Sequence, residues 1–287
     1  MKMNLKTLRR MPPWEWPEGA GKLFLGILSD DKAKDSDRLV AAELAGDYTV
    51  VNDDLAHALL SILRSSDETE ELRGQAAISL GPALEQSDTY GFEDPDDILI
   101  SEDTFRSVRE ELRKLYMDLD VPKEVRRRIL EASARAPQSW HENAVRAAYS
   151  SKDEDWKLTA VFCMQFVRGF DDQIVESLDS KNPDIHYQAV CAAGNWGVDA
   201  AWRHIAALVG SEKTDKDLLL AAIDAVAIIR PEEASEILRD LTESDDEEIV
   251  DAAHEAIAMT EPWGDEDDED DDDEEDDDED EDDDLRH

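Results

Sequence analysis

The sequence predicts an all-α fold, a solenoid of about seven stacked helical hairpins. Pairs of small residues three positions apart recur inside helical windows, and the copies follow one another at a nearly constant period. The composition agrees, because aromatic residues make up 6% of the chain and only 12 of the 287 residues are glycine. A single hairpin cannot bury its own apolar face, whereas stacked copies bury a continuous core.

The clearest sign of the repeat is a column of small residues that recurs four times, with first members 29, 33 and 31 residues apart. A larger apolar residue stands four positions before each pair, so the three side chains share one helical face. These triplets are Trp156/Ala160/Cys163, Ile185/Ala189/Ala192, Leu218/Ala222/Ala225 and Ile249/Ala253/Ala256. The column continues less regularly upstream, through Val125/Ile129/Ala132, Leu72/Ala76/Ser79 and, with the poorest fit, Asp37/Ala41/Leu44.

A polar cluster precedes most of these helices and is typical of a turn that ends in an N-cap. The clusters are Ser66-Asp67, Asp153, Asn182-Pro183, Thr214-Asp215 and Ser244-Asp245-Asp246. Another helix with a leucine-rich stripe precedes each cluster, so the repeating unit is a helix, a short turn and a second helix. The hairpins are predicted at about 18–46, 51–85, 103–136, 140–168, 170–195, 198–229 and 231–259.

Two of the repeats carry a recognisable local sequence. Asn182-Pro183-Asp184-Ile185 precedes the run from Ala189 to Gly194, and Glu71-Leu72-Arg73 precedes the run from Ala76 to Gly81. These segments resemble the HEAT-repeat family and, in their short period, the HEAT-like repeats of phycobilisome lyases. The resemblance covers roughly residues 18–260 and implies an α-solenoid.

Members of that family commonly carry arginine directly after the larger apolar residue. The same column here contains Arg38, Arg73, Arg126, Lys157, His186, Leu219 and Val250. This basic ladder therefore extends through the first four repeats and ends there.

Three segments do not repeat. Residues 1–17 form a proline and tryptophan segment in which Trp14 and Trp16 are expected to cap the first hairpin, with a peptide-like docking motif as the alternative. Residues 86–102 are an acidic insertion that lengthens one connection, and a solvated loop is the expected form. Residues 261–287 are predicted to be a disordered acidic tail, because the twenty adjacent carboxylates at 265–284 repel one another and bury nothing.

The charge balance argues against nucleic acid as a partner. The formal net charge is −44, and it is still −24 without the acidic run at 265–284. Such a chain repels nucleic acid unless it carries a separate basic face. The most basic region, 102–135, holds nine basic and eight acidic residues. Helical faces with internal salt bridges are therefore predicted there, and an anion-binding ridge at Arg126 to Arg128 is the alternative.

Catalytic signatures are weak. No phosphate-binding glycine motif of either common type occurs in the sequence. His141-Glu142 and His254-Glu255 are similar to the His-Glu pairs of the di-iron HEAT-repeat enzyme deoxyhypusine hydroxylase. However, they occupy non-equivalent positions 113 residues apart, so surface or capping roles are expected.

Cys163 and Cys191 are predicted to be buried reduced thiols. The sequence thus predicts that the protein is not an enzyme and holds no cofactor. It predicts no catalytic, cofactor-binding or metal-binding residue.

The sequence predicts a cytoplasmic monomer without a signal peptide or a membrane span. No apolar stretch precedes Pro12, and the longest one, 218–229, is interrupted by Asp224. The leading functional hypothesis is a non-catalytic protein–protein interaction scaffold or adaptor, whose partner, basic or otherwise, lies on the groove lined by the second helices. The alternatives are an acidic assembly factor or chaperone for a basic client, and an accessory or lyase-like protein.

Overall fold

The computed structural model describes residues 4–260, and this part of the chain contains helices and no strand. After the short helix α1 (Leu5–Leu8), fourteen helices form seven consecutive hairpins. The first helices are α2 (Ala20–Leu28), α4 (Asp53–Arg64), α6 (Glu102–Met117), α8 (His141–Tyr149), α10 (Asp171–Leu178), α12 (Trp202–Val209) and α14 (Pro231–Leu238). The second helices are α3 (Asp35–Ala45), α5 (Glu70–Tyr90), α7 (Lys123–Ser133), α9 (Glu154–Cys163), α11 (Pro183–Trp196), α13 (Lys216–Ile229) and α15 (Glu247–Ala258).

Side-chain caps start many of these helices. A short polar side chain accepts a hydrogen bond from a backbone N–H in the first turn, which satisfies a donor that has no partner inside the helix. The predicted caps Asp153, Asn182, Asp215 and Asp246 act in this way at the second helices of repeats four to seven. In the second repeat, the cap is Thr69 rather than the predicted Ser66-Asp67.

The core runs along the stacked second helices, since each of them packs against the second helix of the next repeat. All eight members of the four regular small-residue pairs are at most 1% exposed. Of the larger apolar residues, Trp156 and Ile185 are buried, whereas Leu218 and Ile249 are only half-buried. The predicted solenoid of about seven helical hairpins is confirmed.

Close contact between neighbouring second helices depends on small side chains. A Cβ atom built on Gly194 of α11 would lie 3.0 Å from both Cα and Cβ of Ala225 on α13. A Cβ atom on Gly46, directly after α3, would clash with the backbone of Ser79 on α5. The backbones therefore approach closely at equivalent places in two pairs of repeats.

The basic ladder has a structural role in its first three arginine positions. In each case the guanidinium donates a hydrogen bond to a backbone carbonyl at or near the end of the first helix of the same hairpin, ten residues upstream. The pairs are Arg38 Nη2 with Leu28 O (3.5 Å), Arg73 Nε with Leu63 O (2.9 Å) and Arg126 Nε with Tyr116 O (2.7 Å). The last carbonyls of a helix lack intrahelical partners, so these bonds tie the two helices of a hairpin together.

The acidic insertion differs from the expected solvated loop. Helix α5 continues to Tyr90, so the first five residues of the predicted insertion are helical. Within the following connection Ile100 is 2% exposed, and the Phe92 ring packs against Phe105 at 5.5 Å. The N–H of Ser101 donates to Asp53 Oδ1 at 2.8 Å. The connection is anchored because its apolar residues, which the acidic composition concealed, pack on the solenoid.

Of the two tryptophans in the proline and tryptophan segment, only Trp16 caps the first hairpin as predicted. Trp16 Nε1–H donates to the carbonyl oxygens of Leu8 (3.0 Å) and Met11 (3.2 Å), and the ring packs edge-on against Phe24 of α2. Trp14 is 79% exposed and does not cap the hairpin. The predicted acidic tail, residues 261–287, lies outside the described residues.

Candidate functional site

A groove of about 700 Å³ opens between α11 and α13, on the face that the second helices form. Tyr187, Leu218 and Leu220 contribute half-buried apolar side chains to its walls, and Ile228 is 49% exposed at one end. The packing of Gly194 against Ala225 brings the two helices close together beneath the groove. An accessible apolar surface therefore lies between these two closely packed helices.

Carboxylates surround this apolar surface. Asp184, Asp217 and Asp224 line the groove, and none of the three forms an ion pair with a described residue. Desolvation by neighbouring atoms raises the pKa of Asp224 above its usual range, and repulsion from Glu255 on α15 adds to the rise. The groove thus combines an apolar surface with three carboxylates that have no ion-pair partner among the described residues.

The same surface continues onto the last repeat. On α13, Asp224 precedes Ile228 by four positions, and at the end of α15, Glu255 precedes Met259 by four positions. Both pairs are exposed, and Met259 is 58% accessible. We call the surface formed by α11, α13 and α15, including the groove and these two pairs, the C-terminal groove.

Two histidines meet at the edge of this groove. His186 Nε2 on α11 and His204 Nε2 on α12 are 2.8 Å apart, so one ring donates a hydrogen bond to the other. Burial lowers the pKa of His186 below its ordinary value, and the neighbouring His204 lowers it further. His186 is therefore neutral at pH 7 and does not compensate the aspartates.

The two predicted His-Glu pairs lie in different environments. His141 is 1% exposed: its Nδ1 accepts from the N–H of Gln138 (2.8 Å), and its Nε2–H donates to Ser133 Oγ (3.0 Å). Burial lowers the pKa of His141 to about 4. Glu142 pairs instead with Arg146 at 3.0 Å. The buried His141 side chain thus stabilises the turn before α8. Of the two roles expected for it, surface or capping, only the capping role applies.

His254 is exposed on α15, far along the chain from His141. Within residues 4–260, no three His, Cys, Asp or Glu side chains come together in a way that could hold a metal ion.

The three consecutive arginines, Arg126 to Arg128, point to internal partners. The Arg126 guanidinium bonds to the Tyr116 carbonyl, as described above. Arg127 pairs with Glu124 and donates to Thr159 Oγ1 at 3.0 Å, while Arg128 pairs with Glu131 at 3.0 Å. The alternative interpretation of this region as an anion-binding ridge is therefore corrected, since the chain itself already supplies the anions and acceptors.

The two cysteines also differ from each other. Cys163 is fully buried on α9, which raises the pKa of its thiol well above the ordinary value. Cys191 is half-buried on the wall of the C-terminal groove rather than buried as expected, and desolvation raises its thiol pKa as well. Neither environment favours the thiolate that a nucleophilic cysteine requires.

Sequence reasoning missed the residues of the C-terminal groove. The sequence did contain a signal for these residues, because Glu255 and Met259 follow Asp224 and Ile228 by 31 residues each, which is one repeat.

No helix between residues 4 and 260 has the length and apolar character needed to cross a membrane.

Comparisons with known proteins found only solved structures whose fold is loosely similar to that of this chain. No family model and no curated protein matches this chain. The crystal structure of Escherichia coli YibA is 15% identical, covers 88% of this chain and 85% of its own, and has a TM-score of 0.45. An engineered protein (19% identity, 71% and 96% coverage, TM-score 0.40) and human deoxyhypusine hydroxylase in complex with glycerol (15%, 89% and 88%, 0.39) are also similar. Similarity at this level does not indicate function.

Proposed function

We propose that this chain is a non-catalytic protein-interaction scaffold that holds a basic segment of a partner protein in the C-terminal groove. The observation that carries the proposal is the apolar groove surface bordered by Asp184, Asp217 and Asp224, which have no ion-pair partner among the described residues. Binding of lysine or arginine side chains would supply the missing positive charge.

The two features of the groove would contribute in different ways. Burial of apolar side chains such as Leu220 and Ile228 contributes affinity, at roughly 25 cal/mol per Å² before the costs of association are subtracted. The aspartates favour basic over acidic partners and speed the encounter at low salt. Asp224 is already partly desolvated, so a cation beside it is screened less than one at a fully exposed carboxylate. A stacked solenoid also keeps this surface formed before the partner arrives.

The test is a titration with a labelled peptide of alternating lysine and leucine residues, against a glutamate–leucine peptide as the acidic control. We expect binding of the lysine peptide only, with an affinity that falls as salt screens the carboxylates. The variant Asp217→Asn/Asp224→Asn should weaken binding roughly tenfold, which corresponds to about 1.4 kcal/mol.

The matched control is Glu232→Gln/Glu236→Gln on α14, which changes the net charge equally at exposed positions away from the groove. It should change the affinity less than about twofold, because its carboxylates are far from the peptide. Equal weakening by both variants would place the interaction outside the groove, and absence of binding to the lysine peptide would refute the proposal.

The second candidate function is an assembly factor or chaperone for a basic client. It is favoured by one observation, the run of twenty acidic residues at 265–284, which follows α15 in the sequence. Deletion of residues 261–287 distinguishes the two functions. A large loss of affinity for a basic protein, confined to low salt, favours the chaperone, whereas unchanged peptide affinity favours the scaffold.

A further inference from the structure

The two histidines at the edge of the groove belong to consecutive hairpins. His186 lies on α11 in the fifth hairpin and His204 on α12 in the sixth, and their Nε2 atoms are 2.8 Å apart. The rings meet edge-on, with their planes at 83° and their centroids 5.0 Å apart. The imidazole nitrogen is the commonest metal ligand in proteins. Two such nitrogens, held side by side on separate helices, form a candidate chelating pair.

A histidine binds a metal ion only as the neutral imidazole. Burial lowers the pKa of His186, and the neighbouring His204 lowers it further, so the His186 ring is neutral at pH 7. In the hydrogen bond between the two rings, one Nε2 carries the shared proton. Neither Nδ1 atom has a hydrogen-bond partner among the described residues, so the donor ring can hold its proton on Nδ1 instead. Both Nε2 lone pairs then become available, and no proton is released overall.

The distance between the two nitrogens indicates the coordination geometry. Bonds from imidazole nitrogen to a metal ion are about 2.0–2.1 Å long, so two bonds at a right angle separate the nitrogens by about 2.8–3.0 Å, and two tetrahedral bonds by about 3.3–3.4 Å. The 2.8 Å between His186 and His204 fits the right angle. Binding then requires the rings to turn towards a common point, while the helices keep their separation. Square-planar or tetragonal sites with nitrogen ligands are typical of Cu²⁺ and Ni²⁺, of which Cu²⁺ binds more tightly.

The surroundings of the pair favour a cation. His186 lines the groove of about 700 Å³, and both histidines are half-buried rather than enclosed, so solvent reaches them. The carboxylate of Asp179 favours positive charge at His186. Asp184 lines the same groove and has no ion-pair partner among the described residues. A metal ion on the pair would therefore lie in a region of negative charge.

We propose that His186 and His204 together bind one divalent transition-metal ion, with Cu²⁺ preferred over Ni²⁺ and Zn²⁺. The two ring nitrogens occupy adjacent positions, and water fills the others, since no third His, Cys, Asp or Glu side chain of residues 4–260 completes the set. The bound ion joins α11 to α12 and thereby links the fifth hairpin to the sixth, whose second helices form the walls of the groove. This site goes beyond the proposed function and does not depend on it.

The experiment titrates CuCl₂ into the full-length protein at pH 7 in the presence of excess MgCl₂. Mg²⁺ prefers oxygen ligands, so it competes for the acidic run at 265–284 and not for the imidazoles. Calorimetry should show one tight site per chain. Electron paramagnetic resonance should show two nitrogen ligands on the bound Cu²⁺, which the carboxylates of the tail cannot provide.

Three variants with the same substitution localise the ion. His186→Gln and His204→Gln should each weaken Cu²⁺ binding at least about tenfold, because the second ring no longer stands in place beside the first. His254→Gln on α15 is the control and should change the affinity less than about twofold, since this exposed histidine lies outside the pair. Saturating Cu²⁺ should also raise the melting temperature of the wild type, but not that of His186→Gln.

Equal Cu²⁺ affinity in the wild type and in both pair variants would overturn the proposal and assign the ion to other groups. A resonance spectrum with fewer than two nitrogen ligands would overturn it as well, and this result does not depend on the folding of any variant. Tighter binding of Zn²⁺ than of Cu²⁺ would overturn the right-angle geometry. None of these outcomes affects the proposed function, which is tested with peptides and without metal ions.

Discussion

Replacement of Gly194 by alanine tests the close contact between neighbouring repeats. The added Cβ atom would lie 3.0 Å from Cα and Cβ of Ala225, whereas carbon atoms in favourable contact are about 3.5–4.0 Å apart. The helices α11 and α13 must therefore separate by about 0.5–1 Å at this point. Overpacking of this kind costs about 1–3 kcal/mol, and the gain in helix propensity from alanine offsets about 0.5–1 kcal/mol of it.

Gly26 provides the matched control, because it lies inside α2 and a Cβ atom there would meet nothing within 4 Å. We expect Gly26→Ala to raise the free energy of unfolding by about 0.5–1 kcal/mol and Gly194→Ala to lower it by up to about 2 kcal/mol. The difference between the two variants isolates the contact with Ala225, since the gain in propensity is shared.

Chemical denaturation measures these changes, with hydrogen exchange of the amides in α11 and α13 as a local probe. The local probe is needed because repeat proteins can unfold in parts rather than in one transition. If Gly194→Ala stabilises the protein as much as Gly26→Ala does, the interface between α11 and α13 is not tightly packed.

Three further predictions concern the pH response, the basic ladder and the tail. Because the pKa of His141 is lowered from 6.5 to about 4 in the folded protein, the unfolded chain binds more protons between these values. The free energy of unfolding should therefore be fully retained above pH 6.5 and fall by up to about 3 kcal/mol towards pH 4; denaturation at several pH values should show a flatter profile for His141→Gln. Arg73→Met leaves the Leu63 carbonyl without its hydrogen bond and should cost about 1–3 kcal/mol in thermal or chemical unfolding, whereas the exposed Arg113→Met should stay within about 0.5 kcal/mol of the wild type. Deletion of 261–287 should leave the melting temperature nearly unchanged, because the acidic run contains no apolar side chain; a large drop in calorimetry would show that the tail packs on the solenoid.

The fold could largely be predicted from the sequence. The triplet Ile185/Ala189/Ala192 indicates one buried helical face, because the α-helix places residues four and seven apart on the same side. The cap at Asn182 follows from the same local geometry, since its side chain bonds to N–H groups only two and three residues away. Residues such as these are constrained within a single helix, so their pattern is visible without knowledge of the neighbours.

The site was less accessible, because its properties depend on pairs of residues from different repeats. Asp224 is an ordinary acidic residue in the sequence, and in the structure it lies near Glu255 without a cation beside it. Arg126 and Arg128 show the opposite case. They form a group of cations in the sequence, but in the structure they are paired with a backbone carbonyl and a carboxylate of the same chain. A charge pattern cannot separate the two cases, since the orientation of each side chain is set by packing.

The sequence by itself therefore determined the helical hairpins, their period and the small-residue face on which they stack, because each of these follows from the geometry of a single helix. Only the tertiary structure decided that His141 is buried, that Gly194 lies against Ala225, and that the carboxylates of the last repeats face an open apolar groove. The physical reason is that these features are distances between different helices. Small offsets in how the helices stack set such distances, and the order of residues along the chain does not reveal them.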